Sequence, residues 1–103
     1  MMPDYSYPIL IPAKSAVLLV FMPLDRQRHP SLVALANSLQ QQLGNRLRVL
    51  RIDEANHPDV VRSFDITETP AFVLVQQGVE LWRQVGTPNE EMLTQLSQQL
   101  LNS

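Results

Sequence analysis

S-A-V-L-L-V-F-M-P-L-D-R-Q-R-H-P-S-L-V-A-L-A-N-S-L-Q-Q-Q-L, residues Ser15–Leu43, carries the signals that decide the fold. Ala16–Met22 is apolar throughout and rich in β-branched and aromatic side chains, which is how a strand covered on both faces reads. Pro23 ends it. From Pro30 the apolar residues are Leu32, Leu35, Ala36, Leu39 and Leu43, spaced as one face of a helix. Pro30 suits a first helical position and Gly44 suits the residue just past a helix end. The turn between strand and helix, Pro23–His29, gathers free backbone N–H groups and the positive end of a helix dipole at one place. Proteins often put chemistry there.

The chain has 103 residues, 45% hydrophobic and 17% charged, which is one ordinary globular domain able to bury a core without metal or disulfide staples. A net charge of -2 argues against non-specific binding to nucleic acid or to an anionic membrane. The chain contains no cysteine, which excludes a disulfide framework, a thiolate metal site and any thiol cycle run by this chain alone. Ala16–Leu24 is too short to span a bilayer, and the first residues lack the positive region of a signal peptide. A cytoplasmic location is therefore expected. With three glycines there is no Gly-rich phosphate loop.

Outward from the opening stretch, residues 1–14 contain Pro3, Pro8 and Pro12 and read as a Pro-rich lead-in arm, in which Tyr7–Ile11 can pair only along a sheet edge. Leu47–Ile52 alternates loosely and is expected as a strand near the middle of the sheet. Pro58–Phe64 reads as a short helix burying Val60, Val61 and Phe64. Ala71–Val75 and Val79–Val85 form a hairpin around Gln76-Gln77-Gly78. Thr87 and Glu90 have the spacing of a capping box, with Pro88 at the first position of a last helix that buries Met92, Leu93, Leu96 and Leu100. The order βαβα then ββα demands a parallel crossover and an antiparallel hairpin. The expected class is α/β, with a mixed four- to five-stranded sheet flanked by helices.

This pattern resembles the thioredoxin superfamily over Ser15 to Asn102. The residues that carry the resemblance are V-L-L-V-F-M as the central strand, R-I-D-E as the next strand ending in Asp, and F-D-I-T-E-T-P-A-F as the loop holding the family's cis-proline. Q-Q-G-V-E and V-G-T follow as its hairpin and the glycine after it. The resemblance implies a thioredoxin-like fold with a trimmed N-terminal region and Thr69-Pro70 at the cis-proline. The departures matter as much. Counted from Phe21, the family's Cys-x-x-Cys falls on Arg26-Gln27-Arg28-His29, its buried acid on Val20, and the aromatic before its first Cys on Asp25. Two extra residues stand between Asp53 and Pro58. Disulfide exchange needs an attacking thiolate, so the resemblance implies a redox-inactive relative.

The candidate site residues follow from this register. Asp25, Arg26, Gln27, Arg28 and His29 form the turn. Two arginines at a helix N-terminus are locally unfavourable by a few tenths to about 1 kcal/mol, and an external anion relieves this; the alternative is that they project into water or pair with Asp25. Thr69, Pro70 and Ala71, with Val85 and Gly86, form the loop that in this family offers backbone groups to an extended peptide. His29 and His57 lack companions at metal-ligand spacing, so no metal is expected, nor a cofactor. Trp82 reads as sheet-face packing, and Ser15 and Ser31 lack triad company. The leading expectation is a non-catalytic, chaperone-like or scaffolding module with a protein partner. An anion or small molecule held by Arg26 and Arg28 is the alternative. A glutathione-type transferase lacks the helical partner that completes such sites. Self-association along the edge near Tyr7–Ile11 stays open.

Overall fold

In a computed structural model, residues 16–101 are described; the arm and Tyr7–Ile11 lie outside them. The first strand, β1 (Ala16–Met22), is followed by a 3-10 turn (Arg26–Arg28) and α1 (His29–Leu43). Then come β2 (Leu47–Asp53), α2 (Pro58–Ser63), β3 (Ala71–Gln76), β4 (Val79–Val85) and α3 (Glu91–Leu101). The four strands form one mixed sheet in the order β2-β1-β3-β4. β1 runs parallel to β2 and antiparallel to β3, and β3 antiparallel to β4. This is a thioredoxin-like arrangement, mixed in strand direction as the element order implies.

β1 explains the layering. Leu18, Val20 and Met22 face one side and pack with Leu32 and Leu39 of α1, Phe72 and Leu74 of β3, and Met92 and Leu96 of α3. Phe21 faces the other side with Ala71, Val73, Val61 and Ile66. There its ring lies 5.6 Å from that of Phe64, a separation typical of a favourable aromatic pair. Helices therefore cover both faces. Trp82 packs against the first of these layers and donates from Nε1 to Gln95 Oε1 at 3.3 Å, tying β4 to α3.

Several boundaries differ from the sequence reading. Among the described residues β2 ends the sheet instead of lying near its middle, because Arg48, Leu50 and Arg51 are exposed and only β1 pairs with it. α1 starts one residue earlier, at His29. The Thr87–Glu90 capping box does not form. Asn89 takes over: its Oδ1 accepts the Glu91 N–H at 3.1 Å, and α3 begins there, past Pro88. His57 does stand ahead of α2, but its side chain makes no capping bond. At the hairpin, Gln77 and Gly78 both have positive φ, 52° and 81°, the pattern of a tight two-residue turn.

Two polar links brace the layers. Arg83 on β4 donates to the Glu80 carboxylate at 2.8 and 2.7 Å and to the Phe64 carbonyl at 3.0 Å. The hydrogen bonds from Arg83 hold the Glu80 carboxyl below its ordinary range, so this contribution is present above the unfolded carboxylate pKa and fades as pH falls through the lower native one. Both groups are well exposed, which keeps it small. Gln40 does more. Its Nε2 donates to the Leu47 carbonyl at 2.7 Å and to the Gly44 carbonyl at 3.2 Å, and its Oε1 accepts the Val49 N–H at 2.9 Å. Gln40→Ala is expected to lower stability by about 1–3 kcal/mol in chemical denaturation. Gln41→Ala, at an exposed position of the same helix, should leave the midpoint unchanged.

Candidate functional site

Three segments meet at one end of the sheet because of strand register. Ala71 pairs with Phe21 on one side and with Val85 on the other. The loop before β3 therefore lies between the turn after β1 and the chain leaving β4.

The turn after β1 is closed by its own polar groups. Asp25 Oδ1 accepts the Gln27 N–H at 3.0 Å, and the Asp25 carbonyl accepts the Arg28 N–H at 3.2 Å. The His29 ring meets the Pro23 carbonyl at 2.7 Å through Nε2; a carbonyl only accepts, so Nε2 carries the hydrogen. Asp25 is thus a capping residue, and the pairing with the arginines offered as one alternative above does not form. Among the described residues the ion pair is Arg83–Glu80, so Arg26 and Arg28 are exposed cations without a carboxylate. α1 has no side-chain cap and no acid in its first turn, which leaves the positive end of its dipole uncompensated.

The facing loop is held from two sides. Thr69 Oγ1 donates to Glu54 Oε1 at 2.8 Å, and the Glu54 N–H donates to the Met22 carbonyl at 3.2 Å. The Thr69–Pro70 peptide bond is cis. The Pro70 carbonyl accepts the Gly86 N–H at 2.8 Å. Gly86 has φ +98°, a region that side chains rarely adopt. The amide and carbonyl of Thr69 join no backbone hydrogen bond among the described residues. Pro70 and Ala71 are buried, so the accessible residue of this loop beside the turn is the half-buried Thr69.

Sequence reasoning missed three features here. Leu24, which the expected surface left out, is 63% exposed in the turn; Val85, which it included, is 42% exposed at the end of β4. An apolar residue set between Pro23 and Asp25 was the available signal for the first. The Glu54–Thr69 bond joins residues far apart in the chain, and nothing local announces it. The third is an open groove of about 640 Å³ between the first turns of α1 and the Thr87–Glu90 loop, with Leu32, Leu35 and Pro88 as its apolar lining.

Chemically the site is sparse. The chain has no thiol, Ser31 Oγ donates to the Arg28 carbonyl at 3.2 Å instead of to a histidine, and Val20, buried at 1% exposure, offers no proton acceptor beneath the turn. No group of three or more His, Asp or Glu residues able to hold a metal occurs among the described residues.

No family model matches the chain. Thioredoxin H2 of Arabidopsis thaliana is 31% identical over 72 residues, covering 70% of this chain and 50% of that protein. The chain thus spans about half the length of that curated relative. Among solved structures, Deadhead, the germline-specific thioredoxin of Drosophila melanogaster, superposes with a TM-score of 0.74 at 16% identity, covering 82% of this chain and 81% of that one. Thioredoxin-2, a component of malaria parasite protein secretion machinery, gives 0.71 at 18% identity and 82% coverage of each chain. Fasciola hepatica thioredoxin gives 0.68 at 15% identity, covering 86% of this chain and 81% of that one. At these identities the structural likeness concerns the fold.

Arg26 and His29 stand three residues apart where the 3-10 turn feeds α1, a spacing that puts side chains on one face. The Arg26→Cys, His29→Cys variant should form an intramolecular disulfide in oxidised glutathione, read by free-thiol titration and intact mass. Two thiols that stay free would show that this turn does not have the inferred geometry. The unsubstituted chain should not accelerate insulin reduction by dithiothreitol.

Proposed function

We propose that this chain, a member of the thioredoxin superfamily that lacks the Cys-x-x-Cys motif, is a redox-inactive module that binds a protein partner across the end of its sheet. The binding surface is Leu24–His29, the Thr69–Ala71 loop and Val85–Gly86. The observation that carries this reading is the character of that surface. Two apolar side chains, Leu24 just after β1 and Val85 at the end of β4, are exposed, and an open, largely apolar groove lies between the first turns of α1 and the Thr87–Glu90 loop. Small-molecule sites are enclosed, with convergent polar groups; exposed apolar area rimmed by charge is typical of protein contacts.

Further support comes from Thr69. An amide and carbonyl left out of the backbone hydrogen-bond network sit on a loop fixed through Glu54 and Gly86. Such groups accept an extended peptide by adding main-chain hydrogen bonds. The absence of a thiol removes covalent capture, so binding there is reversible and non-covalent. Scaffold or chaperone-like duty in the cytoplasm is the natural form of such a module. A second reading, an anion held at the start of α1 by Arg26 and Arg28, is supported by the uncompensated helix end and the unpaired cations.

The experiment is an affinity capture from native lysate with the unsubstituted chain and with an Arg26→Ala, Arg28→Ala, Thr69→Ala variant shown to be folded by circular dichroism. A protein retained by the first and lost by the second is the expected result. Identical sets of proteins on both, or none on either, would count against a protein site on this face and turn attention to anions and metabolites.

A further inference from the structure

The groove beside the turn has charges of opposite sign on its two walls. Arg28 stands at the start of α1 and Glu90 on the loop before α3, with Leu32, Leu35 and Pro88 between them. Both charged side chains are exposed and line one groove, yet they form no ion pair with each other or with any other described residue. Arg26 and Glu91, each close in sequence to one of these residues, are exposed and without an ion pair among the described residues as well. Leu35 and Pro88 are only half-buried, so apolar surface stays open to water between two hydrated charges that lack partners. An occupant with complementary ends covers that apolar surface and pairs both charges.

Building on the partner-binding reading above, we infer that the groove takes an extended peptide segment of the partner bearing one aliphatic side chain flanked by an acidic and a basic residue. The aliphatic side chain covers Leu35 and Pro88, the carboxylate faces Arg28 and the ammonium or guanidinium faces Glu90. In an extended chain residues two apart project to the same side, so the recognised pattern is acidic-x-aliphatic-x-basic or its reverse. The opposed charges give the groove a direction. Rim charges of this kind set register and select partners more than they add affinity.

Fluorescence polarisation with four labelled nonapeptides tests this: central Asp-Ser-Leu-Ser-Lys, its reverse Lys-Ser-Leu-Ser-Asp, and the Asp-only and Lys-only versions. One of the two bipolar peptides should bind about threefold to tenfold more tightly than the other three, the gain expected of two exposed ion pairs. The Arg28→Glu, Glu90→Arg double variant should transfer that preference to the reversed peptide. Leu35→Asp, confirmed folded, should abolish binding of all four. Equal binding of the four peptides, no binding of any at millimolar concentration, or a preference that the double variant leaves unmoved would overturn the inference. Capture of a partner that depends on Arg26, Arg28 and Thr69 but shows none of this charge preference would sink the groove assignment alone. Loss of both would sink the partner reading as well.

Discussion

The burial of β1 on both of its faces governs what the rest of the molecule can do. Leu18, Val20 and Met22 are locked under α1 and α3, and Phe21 is locked under the layer holding Val61 and Ile66. Large core side chains removed from water contribute about 1.5–3 kcal/mol each, so a polar or reactive group along this strand would cost more than it could return. Any working surface must sit where the strand ends. Pro23 places that end, and the pairing of Ala71 with Phe21 and Val85 brings two further segments beside it.

The same architecture explains how a thioredoxin-like fold persists without thiol chemistry. No cysteine contributes to the core, to the sheet or to the bracing of the turn. Capping by Asp25 and the bond between the His29 ring and the Pro23 carbonyl close the turn. The facing loop hangs from Glu54 and Gly86. What a thiolate would have neutralised at the helix end is left positive, and two exposed arginines increase it. The face thus changes from one that stabilises its own anion to one that presents cations and apolar side chains outward.

The fold was legible because its signals are local and redundant. Ala16–Met22 and Val79–Val85 appear with the bounds that their apolar and alternating patterns imply, and Leu32, Ala36 and Leu39 are buried as the helical spacing requires. β2 was harder. Its mixture of Leu47, Val49 and Ile52 with Arg48 and Arg51 fits an internal strand or an edge, and sheet position depends on pairing partners that periodicity does not encode. The start of α3 was misplaced because Thr87 and Glu90 match the capping-box spacing, while the cap formed is Asn89, two residues further on. At the site, the turn residues could be numbered from the chain alone. The Glu54–Thr69 bond and the groove could not, since both join segments separated in sequence and arise only when the sheet forms.

The most direct measurement places a photo-crosslinking benzoylphenylalanine, one at a time, at the four exposed large apolar positions among the described residues, Leu24, Val85, Leu50 and Val79, in the native host. Leu24 and Val85 border the end of the sheet, whereas Leu50 lies on β2 and Val79 begins β4 at the hairpin. Discrete protein adducts from positions 24 and 85, with none from 50 and 79, are expected if this end of the sheet is where the partner binds. Adducts confined to 50 or 79 would contradict that assignment and move the interaction to the sheet edge or the hairpin.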